Sequence, residues 1–272
     1  MKRILLIAAT IITLFTACEK DTSVEITDPK ASLIKISEAY ATGSSTRVEL
    51  WSKSELSTGY QNLFVALYDS ASGKPINRST VQIMPMMEMN MNGTKYSHSA
   101  PSENPVSLDS DNSLFQCAAV FTMPSTDESG KWKMTVMVKN EGQTKSGKAE
   151  MPVQVKQSQP ERVKNITTAN GSKIILAYVS PLSPKVGVND FEIAIFNKQD
   201  MMTFPAENNY SISMTPEMPS MGHGSPNNVN PTLTKNGHYK GKVNFTMTGD
   251  WRINLELNKN GETTKTFFDL LF

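Results

Sequence analysis

Leu63-Phe64-Val65-Ala66-Leu67-Tyr68-Asp69 recurs as Phe191-Glu192-Ile193-Ala194-Ile195-Phe196-Asn197, and Gly130-Lys131-Trp132-Lys133-Met134-Thr135-Val136 as Gly249-Asp250-Trp251-Arg252-Ile253-Asn254-Leu255. Between these pairs Phe121-Thr122-Met123 answers Phe245-Thr246-Met247, and after them Glu141-Gly142-Gln143-Thr144 answers Asn260-Gly261-Glu262-Thr263. One order repeated over more than a hundred residues is the mark of a duplicated module. The methionine-rich segments repeat as well: Met84 to Met91 is matched with Met214 to Met221, and His98-Ser99-Ala100-Pro101 with His223-Gly224-Ser225-Pro226.

Each copy reads as strands. Gly241-Lys242-Val243-Asn244-Phe245-Thr246-Met247 and Trp251 to Leu257 alternate apolar with polar, the period of a sheet with one buried face. Asn236-Gly237, Asn260-Gly261 and Leu182-Ser183-Pro184 supply turn chemistry between them, and no helical stripe is sustained after the first residues. About seven short strands in roughly 110–120 residues, with a tryptophan on a late strand, predict an immunoglobulin-like β-sandwich. The expected fold class is therefore all-β, two tandem immunoglobulin-like β-sandwich modules after a lipoprotein signal segment.

The amino terminus supplies the address. Lys2 and Arg3 precede the apolar run Ile4 to Phe15, which is too short for a permanent membrane span and reads as a signal peptide over residues 1–17. Leu14-Phe15-Thr16-Ala17-Cys18 resembles the lipobox of bacterial lipoproteins, which implies lipidation of Cys18 and attachment to the membrane through acyl chains. Glu19-Lys20-Asp21 is similar to the export tag of Bacteroidetes-type lipoproteins. The expected location is the cell envelope, on the periplasmic or outer face of the outer membrane. The organisation follows: lipidated Cys18 and a tether through residue 32, a first module over 33–156, a polar linker over 157–162 containing Pro160, and a second module over 163–272.

Of 272 residues, 27 are Lys or Arg and 26 Asp or Glu. So balanced a charge excludes a nucleic-acid binder, which needs a basic face against phosphates. With Cys18 lipidated, the other cysteine, Cys117, has no disulfide partner; its neighbours Leu114, Phe115, Ala118 and Phe121 make it a small buried thiol. His-Glu-x-x-His, Cys-x-x-Cys, Gly-x-Ser-x-Gly and phosphate-loop motifs are absent, so binding rather than catalysis is expected. Trp132 and Trp251, at matching positions, read as a repeated core anchor.

The second copy resembles the YtkA-like, FixH-related family of small secreted β-sandwich modules. The likeness runs through Gly187-Val188-Asn189-Asp190-Phe191, Pro216-Glu217-Met218-Pro219-Ser220-Met221-Gly222-His223-Gly224, Gly237-His238-Tyr239-Lys240-Gly241 and Met247-Thr248-Gly249-Asp250-Trp251. It covers most of residues 163 to 259. Relatives appear among periplasmic proteins tied to respiratory oxidases and copper handling, and the resemblance implies the fold more than the function. The first copy departs from the pattern: Cys117 stands where the second has Gly241, and Met86-Met87-Glu88-Met89-Asn90-Met91 replaces the Met-Pro-x-Met-Gly-His loop.

Two of the three histidines follow a methionine cluster at matching positions. Thioether sulfur is a soft ligand that suits Cu(I), and imidazole suits copper or zinc. The candidate copper ligands are Met218, Met221 and His223 in the second module, and Met89, Met91 and His98 in the first, with Met84, Met86 and Met87 as further donors. Period-two methionine is also what a sandwich core wants, and Met87 and Met214 fit that reading. A third reading makes the exposed methionines a pliable docking patch for an envelope protein partner. His238, opening a strand beside Tyr239, reads as a surface or packing residue.

Overall fold

The computed structural model describes residues 28–91, 93–126 and 130–272. Lipidation of Cys18 and the signal segment lie outside the described residues. All regular structure among them is β, as the short alternating segments require. The first copy contains β1 (Ile34–Ala41), β2 (Thr46–Ser52), β3 (Gly59–Asp69), β4 (Ser79–Met91), β5 (Thr94–Ser99), β6 (Ser102–Glu103), β7 (Phe115–Phe121), β8 (Gly130–Asn140) and β9 (Gly147–Val153). The second contains β10 (Val163–Thr167), β11 (Lys173–Ser180), β12 (Gly187–Asn197), β13 (Ser211–Met218), β14 (His223–Gly224), β15 (Val229–Lys235), β16 (His238–Phe245), β17 (Asp250–Lys259) and β18 (Glu262–Leu271).

The duplication is written into the topology. Sheets ordered β1-β2-β3-β7-β6 and β5-β4-β8-β9 form the first sandwich, and β10-β11-β12-β16-β15 with β14-β13-β17-β18 repeats them strand for strand. Among the described residues each copy thus has nine strands where the sequence pattern suggests about seven. Pieces such as β6 and β14, two residues each, are too short to carry a period and are invisible to pattern reading.

Inward residues of the two sheets interdigitate as one core per module. Val48, Leu63, Phe121, Trp132, Met134 and Val136 fill the first, and Leu176, Ile193, Phe245, Trp251, Ile253 and Leu255 the second. Burying an aromatic or aliphatic side chain of this size contributes roughly 1.5–3 kcal/mol, so these core residues dominate each module's stability.

A third apolar cluster joins the copies. Val120 of β7 packs with Val163, Ile175, Ala177, Ala194 and Phe196 on the outward face of the second module's five-stranded sheet, flanked by Tyr60 and Phe204. The polar linker does not hang free. Ser158 is buried, its N–H donates to the Thr58 hydroxyl at 2.9 Å, and the two hydroxyl groups are hydrogen-bonded.

His238 closes this seam. It is buried rather than on the surface, with Nε2 2.6 Å from Glu103 of the first module and Nδ1 2.7 Å from Glu192 of its own. Tyr60 sets its ring edge-on to the imidazole at 5.5 Å and donates its hydroxyl to Glu103 at 3.1 Å. Burial alone lowers the histidine pKa, but the two glutamates outweigh it and raise it to about 9.

Candidate metal centre

The four-stranded sheets carry the histidines. On β4 and β5 the register sets Met87 opposite His98, and on the other side of β4 it sets Met87 opposite Trp132. On β13 and β14 it sets Met218 opposite His223, while β13 and β17 pair Glu217 with Arg252, so that Trp251 is the next residue along. Each module therefore contains one lateral row, histidine, methionine, tryptophan, with the side chains on one face because opposed residues share a face.

The details of the rows repeat. His98 meets Trp132 edge-on at 5.7 Å, and His223 meets Trp251 edge-on at 6.1 Å. Phe121 and Phe245 lie against the same tryptophans at 5.1 and 5.2 Å. Trp132 donates its indole N–H to the Met123 carbonyl at 2.9 Å, and Trp251 donates to Met247 at 3.0 Å. Gly130 opens β8 and Gly249 immediately precedes β17, and each keeps room for the thioether. A Cβ at Gly130 would stand 3.0 Å from the sulfur and methyl of Met87, and one at Gly249 would strike the methyl of Met218.

The imidazoles are held in one tautomer. His98 Nδ1 lies 2.8 Å from the Ser99 carbonyl and His223 Nδ1 3.0 Å from the Gly224 carbonyl. A carbonyl oxygen only accepts, so in the neutral ring Nδ1 carries the proton and Nε2 presents the lone pair, the arrangement that readies an imidazole for a metal. His98 is only 6% exposed, and its Nε2 is buried with no hydrogen-bond partner. Leaving such an atom unpaired costs about 1–3 kcal/mol, a cost a bound ligand would remove.

The sequence-derived candidates fall in different places. Met218 is buried in the core with its side chain beside the row, and His223 is half-buried. Met221 sits in the turn that joins β13 to β14 and is 59% exposed. That turn is fastened by Asp250, which accepts from both the backbone N–H and the hydroxyl of Ser220. In the first module Met89 is half-buried against the core and pairs with Tyr96, and Met91 pairs with Thr94 at the end of the hairpin. The residue opposite His98 is Met87, expected both as a further donor and as a core residue, and it is buried in the core. The matching of Met84–Met91 with Met214–Met221 was one residue out of step: equivalent strand positions pair Met87 with Met218 and Ile83 with Met214. Met84 corresponds instead to Thr215 and lies on the opposite face, so its thioether does not join the row.

Hard-metal chemistry finds little here. Among the described residues no three His, Cys, Asp or Glu side chains gather in a ligand cluster. Cys117 is buried against the Leu63 carbonyl at 3.5 Å, and burial pushes its thiol pKa up, which removes the thiolate that a metal would need.

Residues 168–256 match the YtkA-like family. The YtkA-like segment spans β11 to most of β17 and contains Met218, His223 and Trp251. No curated protein matches the sequence. Among solved structures, domains 5-6 of the S-layer protein SbsC share 13% identity with a TM-score of 0.28, over 88% of this chain and 99% of that one. The titin immunoglobulin tandem A164-A165 shares 11% with a TM-score of 0.18, over 87% and 96%. Superpositions this loose bear no functional weight, and the tandem architecture rests on the strand pairings.

Proposed function

We propose that this protein is a non-catalytic, lipid-anchored envelope protein that holds Cu(I) in each of its two β-sandwich modules, as a buffer or carrier. The observation that supports this most is the repeated row in which an imidazole with a free Nε2 faces a thioether: His98 with Met87 and His223 with Met218. A neutral nitrogen and a neutral soft sulfur suit a monovalent d10 cation and offer little to Ca²⁺ or Mg²⁺. Met221 in the exposed turn and Met89, two residues from Met87 on the same strand face, are the further thioethers available to complete the coordination.

The cores around the rows explain why the histidines are placed rather than merely tolerated. Each imidazole is fixed from behind by the next residue's carbonyl and from one side by a tryptophan that is itself anchored through Nε1. Ligands positioned this way bind without reordering, and the binding free energy goes into the metal rather than into the loop.

Addition of Ag(I), an inert counterpart of Cu(I), to the full chain tests this. Trp132 and Trp251 lie within 6.1 Å of the histidine rings, so their fluorescence is expected to change with saturation at stoichiometric metal. His98→Ala with His223→Ala is expected to abolish that change, and an unaltered response in the double variant would exclude these sites.

A further inference from the structure

Three methionines that the rows do not use line one cleft at the seam between the modules. Met84 and Met137 point outward from adjacent strands β4 and β8, where Met84 pairs with Thr135 and Gln82 with Met137. Their positions are diagonal neighbours on one face, within reach for side chains of this length. Met202 comes from the other module, in the segment after β12. All three line one cleft of about 300 Å³, together with Ser99 and Phe204.

The cleft is built rather than incidental. Asp200 Oδ1 accepts from the backbone N–H groups of Met202 and Thr203 at 2.6 and 2.8 Å, which fixes the turn that presents Met202. The Met201 carbonyl accepts the Ser99 N–H of the first module at 2.8 Å, which docks that turn on β5. The thioethers remain accessible: Met84 is 37% exposed, Met137 42% and Met202 47%. An outward sheet face ordinarily carries polar residues, as Gln82 and Lys139 do on these strands, and unbranched methionine is a weak strand former. Neither core packing nor strand propensity explains three of them around one opening.

We propose that Met84, Met137 and Met202 form a thioether-only site for a monovalent soft cation, Cu(I) or Ag(I), that is completed only when the two modules are docked. It extends the soft-metal reading of the histidine rows but stands on different residues. Three neutral sulfurs bind a soft cation without deprotonation, so the site is expected to hold metal in mild acid where an imidazole must compete with protons. Its exposure makes it the exchangeable position of the molecule, where the buried His98 row is the retentive one.

The test is Cu(I) titration of the full chain under reducing, oxygen-free conditions, with X-ray absorption to identify the ligand atoms. In the His98→Ala/His223→Ala background one equivalent is expected to remain, with sulfur-only coordination. Adding Met84→Leu, Met137→Leu and Met202→Leu, substitutions close in volume, is expected to remove it while the β-sheet circular dichroism is unchanged. Met202→Leu alone is expected to weaken that equivalent by on the order of 100-fold, because it withdraws a ligand supplied across the seam. If the histidine rows are empty and this site is real, the wild-type chain binds one equivalent that the leucine variant loses. Equal stoichiometry in wild-type and leucine variants, or nitrogen in the remaining coordination shell, would overturn the proposal.

Discussion

His238 of the second module and Glu103 of the first are joined by a 2.6 Å hydrogen bond through Nε2, while Nδ1 is engaged by Glu192. The imidazolium thus sits between two carboxylates in the seam, and its pKa is raised from 6.5 to about 9. A histidine whose folded value lies above its unfolded one stabilises the fold fully below the unfolded value, and the contribution is lost as pH rises through the folded one. Thermal unfolding of the wild-type chain is therefore expected to show stability falling between pH 6.5 and about 9. The amplitude is on the order of 2 kcal/mol after allowance for partial solvent screening. His238→Gln should flatten that alkaline limb; an unchanged pH profile in the variant would mean the contact does not hold the modules together.

Glu192 gives the acid side of the same contact. Burial raises its pKa, but hydrogen bonds from His238 and Lys240 outweigh it and lower the value from 4.5. A depressed carboxylate stabilises the fold fully above its unfolded value, and the contribution is lost as pH falls from there through the lower folded value. Glu192→Gln is expected to reduce stability near neutrality by about 1–3 kcal/mol and to shrink the loss seen on acidification below pH 4.5. A variant as stable as wild type at neutral pH would show that the half-buried carboxylate contributes nothing.

Most of the architecture was legible because it was stated twice. The Leu63–Asp69 and Phe191–Asn197 segments became the equivalent central strands β3 and β12, and the two Gly-x-Trp segments became β8 and β17. Period-two patterning survives where one face is buried and the other wet, as on β17, where Trp251, Ile253, Leu255 and Leu257 are all buried. Register was the weak point. The methionine segment Met84–Met91 has methionine on both faces, so the pattern does not say which of them are inward, and the match to the second copy slipped by one residue. That slip left Met87 as one further donor among three and as a core residue, rather than as the residue opposite His98. Counting back from Gly130-x-Trp132 and Gly249-x-Trp251 does not recover the match, because the chain between the two strands differs in length in the two copies; only the strand register aligns Met87 with Met218. His238 gave no comparable signal, because its partner Glu103 lies in another module and on a two-residue strand.

His98 poses a choice between stability and binding. Its Nε2 is buried and makes no hydrogen bond within the protein, so His98→Leu removes an atom with no protein partner at the expense of one hydrogen bond to the Ser99 carbonyl. The variant is expected to be as stable as wild type or more stable by up to about 1–2 kcal/mol without metal, and to gain no thermal stability when Cu(I) is added. Calorimetry with and without metal reads both. A large loss of metal-free stability would show that the imidazole is held for packing alone.

Gly249 has a φ of +138° as well as no room for a Cβ beside Met218. Gly249→Ala is therefore expected to cost about 1–3 kcal/mol of stability in the second module and to displace the Met218 thioether from its row. Affinity for the His223 equivalent should fall while the His98 equivalent is unaffected. Loss of both together would mean the two rows are not independent sites.

The most direct test of the central claim is competition titration of Cu(I) against a chelator of known affinity, with the wild-type chain, His98→Ala, His223→Ala and the double variant side by side. Each single substitution is expected to remove one equivalent and the double variant two, with circular dichroism unchanged throughout. Identical stoichiometry and affinity in all four proteins would contradict the assignment of the histidine and methionine rows as metal sites.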